Sequence, residues 1–322
     1  MSSINAAHKA SNFKGSIDLI GLFLLLPSPL FWAGNFIVGR AMHGIVPPMA
    51  LSLWRWVIAL ALVLPFAMSP MRRDLSKYWQ HRWRVLSISL AGVFAFNALV
   101  YIGLQSTTAS NALLLNSFIP ILVVLIGAVF LGQRIRHVQA LGLVLSFVGV
   151  LTIIMHGQWS RLASLSFSRG DLIVFCAMVS WALYTLWLRG IPAELDRVGL
   201  IGTQIVIALF VLVPLYLWER ASGSTVTWNL HSIGALAYLG VFPSFVAYLL
   251  YNIAVARVGA AQAGLSIHLI PLFGVLLAVI FLGETIHGYH AIGIAAIITG
   301  IVLASVSTGS RKSSADAVSH GD

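Results

Sequence analysis

Two stretches of the chain decide its architecture: PILVVLIGAVFLGQRIRHVQALGLVLSFVGVLTI, residues 120–153, and PLFGVLLAVIFLGETIHGYHAIGIAAIITGIVLA, residues 271–304. Set 151 residues apart, they share 10 identities in 34 positions, with Pro120 on Pro271, Phe130-Leu131-Gly132 on Phe281-Leu282-Gly283, Gly142 on Gly293 and Gly149 on Gly300. Each holds the end of one apolar run and most of the next around a short polar connection; the full runs, about 20 residues each, are long enough to cross a hydrocarbon layer of roughly 30 Å. A second register, 149 residues, pairs Trp32-Ala33 with Trp181-Ala182, Arg40 with Arg189 and Pro65 with Pro214. The change of offset implies small insertions between the second and fourth runs. The chain is a duplication.

Outward from these stretches the same texture continues. The 322 residues are 59% hydrophobic and 9% charged, with a mean hydropathy of +0.94. A soluble domain carries roughly 25% charged residues, so 28 charged side chains cannot solvate this surface. Ten spans are predicted, at 17–38, 49–68, 85–104, 109–131, 138–155, 172–188, 199–218, 233–255, 260–282 and 289–306. They are helical because a lipid-exposed backbone must satisfy its hydrogen bonds within the segment. The fold class is an all-α integral membrane protein of ten transmembrane helices in two inverted five-helix repeats, 18–156 and 170–307. The polar tails are 1–16 and 309–322, the latter Ser-rich and expected to be disordered.

The formal charge of +10 does not indicate nucleic acid, because the basic residues lie in short connections. With the N-terminus inside, alternate connections carry 14 Lys and Arg on the cytoplasmic side and 4 on the other, while Arg55 lies within a span. That asymmetry places both termini in the cytoplasm and the chain in the cell's inner (plasma) membrane. Five spans per repeat is an odd number, so the second half enters the bilayer upside down. Arg134 and Arg136, between spans four and five, have no basic counterpart between spans nine and ten. Inverted repeats of this kind recur in secondary transporters, with solute bound near the midplane.

Phe31-Trp32-Ala33-Gly34-Asn35-Phe36, the Pro47-Pro48 turn before Arg55-Trp56, and Pro271 followed by Phe281-Leu282-Gly283-Glu284 resemble the EamA-type drug/metabolite transporter family. The likeness covers about residues 18–307. One departure is that the first half reads Leu131-Gly132-Gln133 where the second ends in Glu284. The resemblance implies a carrier of amino acids or related small metabolites and drugs, often an exporter, with a cavity lined by spans one, three, four, six, eight and nine.

Polar and aromatic groups within spans supply the candidate substrate site: Trp32, Asn35, Asn97, Tyr101 and Asn116 in the first half, and Trp181, Tyr184, Tyr248 and His268 in the second. Asn35 pairs with Tyr184 and Ser117 with His268 in the repeat, so both pairs are expected to meet at the pseudo-symmetry centre. His268 is the histidine well inside a span and a candidate for proton coupling. Arg55 sits roughly 10 Å into span two, where it would hold a solute carboxylate or snorkel to the interface; the structural role is favoured. Cys176 reads as a small packing residue. No carboxylate occupies a span centre, and neither a metal set nor a phosphate-binding loop occurs, so no catalytic residue, metal or cofactor is assigned. The competing classes are an integral membrane enzyme and a non-transport membrane protein. The expected partners are a small-molecule substrate and the lipid bilayer, with the chain a monomer or a homodimer.

Overall fold

The computed structural model describes residues 19–160, 168–282 and 285–318; the N-terminal tail 1–16 and Glu284 lie outside them. Among the described residues, nine helices are long and apolar enough to span a bilayer: α1 Ile20–Ala41, α2 Pro48–Arg73, α3 Arg82–Gly103, α4 Asn111–Leu131, α5 His137–Ile154, α6 Arg169–Arg189, α7 Arg197–Ala221, α8 Leu230–Val258 and α9 Ala260–Leu277. A tenth, α10, is apolar over Gly288–Ala304 and continues helical to Val318. The tail that composition marks as disordered is therefore helical as far as Val318. Once a span has nucleated a helix, each added residue needs no new nucleus. The chain is a multi-pass membrane protein. Its outward residues include Phe66, Phe130 and Phe210, and Cys176 also faces outward rather than packing inside.

Besides a bend at Leu26 in α1, four spans are irregular in two matched pairs. α3 changes from α- to π-helix over Ser89–Ala95 and α8 over Gly240–Val246, the same seven positions one repeat later. α4 breaks after Asn116 and resumes at Ile119; α9 tightens to a 3₁₀ turn at Ser266–His268. Pro120 and Pro271 cause these breaks, since each lacks an N–H and its ring clashes with the carbonyl four residues earlier.

The remaining helices brace the irregular ones across the repeats. α5 and α10 meet on glycine: a Cβ on Gly142 would lie 2.5 Å from the Gly300 carbonyl oxygen, and one on Gly149 2.7 Å from that of Gly293. Gly142 and Gly293 are repeat mates, as are Gly149 and Gly300, so each glycine faces the mate of the other. Close backbone approach of this kind replaces the hydrophobic effect as the packing force in lipid. α2 and α7 are tied at both ends by carboxylates. Glu219, near the end of α7, accepts the N–H groups of Met49 (3.0 Å) and Ala50 (2.9 Å) at the start of α2, where the helix dipole favours negative charge. At the opposite face Asp74, just past α2, accepts the N–H of Asp196 (3.4 Å), the N-cap of α7.

The buried Asp74 carboxyl also takes hydrogen bonds from Arg73 (3.0 Å) and Lys77 (3.1 Å). The Arg73 guanidinium, above all, holds it well below the usual carboxylate range. A depressed carboxyl contributes stability that is complete above about pH 4 and is lost as pH falls through its lowered value. Asp74→Asn should therefore lower the melting temperature of the detergent-solubilised protein equally at about pH 5 and about pH 8; a gap that closes at the lower pH would refute this tie. Gly142→Ala should destabilise by about 1–3 kcal/mol through overpacking. Gly274→Ala, whose Cβ would meet nothing within 4 Å, should not, and equal melting temperatures for the two variants would contradict the glycine seam.

Candidate substrate site

Where the irregular spans cross, the two repeats enclose a cavity. Its walls come from the six spans that the resemblance implies, and from α2 through Arg55. Trp32 and Trp181 face each other as repeat mates, ring centroids 5.0 Å apart at 82°. Phe96 packs on Trp181 at 4.6 Å, and Tyr248 stands edge-on to Trp56 at 4.9 Å. Such edge-to-face geometry is the preferred aromatic packing. The cavity volume is about 10 Å³, roughly one water-sized sphere. A larger groove of about 780 Å³, lined by Tyr78, Trp79, Arg82 and Trp83, opens sideways beside the short helix Leu75–Gln80. Its tryptophans are mostly exposed, as in an interfacial belt, and it lies outside the repeat junction.

Polar side chains hold the crossing together. The π-turn in α3 releases backbone carbonyls, and the other repeat answers: Tyr248 Oη donates to the Gly92 carbonyl at 2.7 Å. Asn97 Nδ2 donates to the Val93 carbonyl at 3.0 Å and to Tyr248 Oη at 2.9 Å. Asn97 and Tyr248 are themselves mates, 151 residues apart. On the reciprocal side, Trp32 Nε1 donates to the Pro243 carbonyl in the π-turn of α8 at 3.1 Å.

Asn35, Asn97 and Tyr101 converge on Arg55. Its Nη1 donates to Asn35 Oδ1 at 2.9 Å, to Asn97 Oδ1 at 2.8 Å and to Tyr101 Oη; its Nε donates to Ser244 Oγ at 2.6 Å. Tyr101 Oη donates to Asn35 Oδ1 at 2.8 Å. Arg55 is 1% exposed, so it does not snorkel to the interface. Pro48 starts α2 and sets Arg55 two turns inside, on the face turned toward α1, α3 and α8, where neutral oxygens reward it more than the distant headgroups would.

The remaining candidates are placed differently. Asn116 lines the cavity beside Ile119 and Ile267. Tyr184 lies behind Trp181, centroids 5.0 Å apart, and its Oη accepts from Asn252 Nδ2 at 2.8 Å; it does not line the cavity. Ser117 and His268 do meet: His268 Nε2 donates to the Ser117 carbonyl at 2.9 Å, and Nδ1 lies 2.7 Å from Ser146 Oγ on α5. This puts the imidazole between α4, α9 and α5, beside the cavity wall. Arg55 was not among the candidate substrate residues. The available signals were its position inside a span and its uncharged repeat mate, Gln204.

A bundle of irregular helices crossing at the centre of an inverted repeat defines a membrane carrier. Residues 19–155 and 168–306 each match the EamA-like transporter family, and the chain belongs to that family as a duplicated transporter. It is 28% identical over 290 residues to the uncharacterized transporter YyaM of Bacillus subtilis (strain 168), covering 88% of this chain and 92% of that one. It is 26% identical over 212 residues to a probable terminal-alkyne amino-acid exporter of Streptantibioticus cattleyicolor, covering 66% and 69%. A protein of known crystal structure aligns with a TM-score of 0.70 at 21% identity, over 89% of this chain and 96% of its own, which shows the fold.

Tyr248→Phe keeps the ring packing and removes the donor to the Gly92 carbonyl. It should cost about 0.6–2 kcal/mol of stability in reversible denaturation in mixed micelles. An unchanged stability would mean that Asn97 alone satisfies the π-turn.

Proposed function

We propose that the protein is a secondary transporter of small metabolites, amino acids or related solutes, working by alternating access at the cavity between the repeats, and that it exports them across the cell's inner membrane. The observation that carries this reading is the small cavity at the repeat junction, walled by the mates Trp32 and Trp181 and by Asn97 and Tyr248. A site on the pseudo-symmetry axis can be reached from either face by related movements of the two halves. With about 10 Å³ free, any metabolite requires the halves to part. Support for amino acids comes from the name of the Streptantibioticus relative and from walls that combine aromatic rings with amide groups. In this reading both termini face the cytoplasm, as the distribution of Lys and Arg suggests.

The surroundings of His268 suit proton coupling. The Ser117 carbonyl accepts only, so Nε2 carries a proton in either charge state. The Ser146 hydroxyl can donate to Nδ1, or accept from it while donating to the Leu143 carbonyl at 3.0 Å. One hydroxyl rotation thus serves neutral and protonated imidazole alike.

The test is counterflow of radiolabelled amino acids in liposomes containing the purified protein, with and without an imposed pH gradient. Substrate-specific exchange should appear and should fall at least about tenfold in folded Trp32→Ala and Asn35→Ala. Acceleration by the gradient should vanish in His268→Ala. Absence of exchange for every amino acid, in vesicles holding folded protein, would sink the amino-acid assignment.

A further inference from the structure

We propose that Arg55 is the anchor for the carboxylate of the transported solute, so that the carrier selects small monocarboxylates with an apolar or aromatic body, zwitterionic amino acids among them. The inference rests on the carrier reading above and adds to it a residue and a chemical class.

Four observations converge. Arg55 lines the cavity and is 1% exposed, yet every hydrogen-bond partner of its guanidinium is neutral: Asn35, Asn97, Tyr101 and Ser244. No carboxylate among the described residues pairs with it. A cation held inside a bilayer by dipoles alone is costly, and such residues mark substrate or ion paths. The four partners occupy Nε and Nη1, while Nη2 makes no hydrogen bond to a described residue. Its two N–H groups are the donors left for a solute, and a carboxylate is the anion whose two oxygens match a guanidinium fork.

The rest of the cavity limits the class further. The walls opposite are the rings of Trp32, Phe96, Trp181 and Tyr248 and the aliphatic Ile119 and Ile270. One guanidinium suits one negative charge; a phosphate dianion would leave a charge facing these walls. No acidic side chain lines the cavity, so an ammonium group would meet ring faces and the Asn116 amide rather than an ion pair.

The second repeat supplies the contrast. At the position of Arg55 it carries Gln204, wholly buried, with neither amide atom hydrogen-bonded among the described residues. The charge is therefore one-sided. It lies in the half of the bundle near the α1–α2 turn, and the neutral Gln204 stands at the corresponding position of the second repeat. The repeats share a helix geometry but not an anion site.

The test uses purified full-length protein in liposomes loaded for counterflow. Unlabelled competitors are matched pairs: L-phenylalanine against L-phenylalaninamide, and 3-phenylpropionate against its primary amide. In the wild type each acid should compete at least about tenfold better than its amide, the scale of a charge-assisted hydrogen bond. Arg55→Gln, which copies the second repeat, should lose that preference; Arg55→Lys should keep part of it, retaining the charge without the fork. Equal competition by acid and amide in the wild type would overturn the anchor, and that comparison needs no variant to fold. A folded Arg55→Gln protein that still prefers acids would overturn it too. Exchange of a neutral or cationic solute, with no carboxylate competing, would refute the anchor and leave the carrier standing; no exchange of any solute would refute both.

Discussion

A carbonyl released from a helix inside a bilayer has no water to accept from, and it must find a donor in the protein or the segment will not hold its shape. At Gly92 two donors meet, the hydroxyl of Tyr248 from the other repeat at 2.7 Å and Asn97 Nδ2 from its own at 3.2 Å. The π-turns of α3 and α8 are thus possible because the repeats cross there, and they in turn place Asn97 and Tyr248 where they bond each other. Gly92 leaves room for the crossing: a Cβ there would lie 2.3 Å from a ring carbon of Tyr184. The cavity, the Arg55 cluster and the aromatic walls all depend on this shared backbone bond. Stability and site are one arrangement.

Around that geometry the two halves have drifted apart in a correlated way. In the first repeat Asn35 on α1 meets Tyr101 on α3; in the second, Tyr184 on α6 meets Asn252 on α8. The helices and the contact are the same, with amide and phenol exchanged. Trp32 and Trp181 are retained as identical residues because each faces the other across the axis. Arg55 and Gln204 are the divergent pair, and the asymmetry they create gives the bundle a distinguishable front and back.

Much of this was legible in the chain itself. Apolar runs as long as a bilayer is thick leave helix as the only solution, and the identities between 120–153 and 271–304 reveal duplication, since close helix packing preserves glycine and proline most strictly. Pro120 and Pro271 stand just past the breaks in α4 and α9. The π-turn of α8 has a local signal in Pro243, which lacks an N–H inside Gly240–Val246; Ser89–Ala95 carries no such residue, so the matching turn in α3 was not legible. The sequence left Arg55 open between snorkelling and facing inward, as distance from a helix end says nothing about which face the side chain takes; its burial excludes snorkelling. Tyr184 and His268 lie within spans, and helix position alone could not separate the cavity wall from the layer behind it. The helical continuation past Gly309 depends on the span before it rather than on its own polar composition.

The tightness of the junction has an electrical meaning. A cell membrane stores energy as a voltage, and each monovalent ion that leaks through it wastes about 2.3 kcal/mol per 100 mV. Open pores would drain that store whether or not cargo were present. Here the central space is about 10 Å³, too small for the unbroken file of water that ions and protons would follow, and the crossing rings of Trp32 and Trp181 sit across the path. In this closed arrangement the bundle behaves as insulation, and a cell could hold many copies of it without discharging.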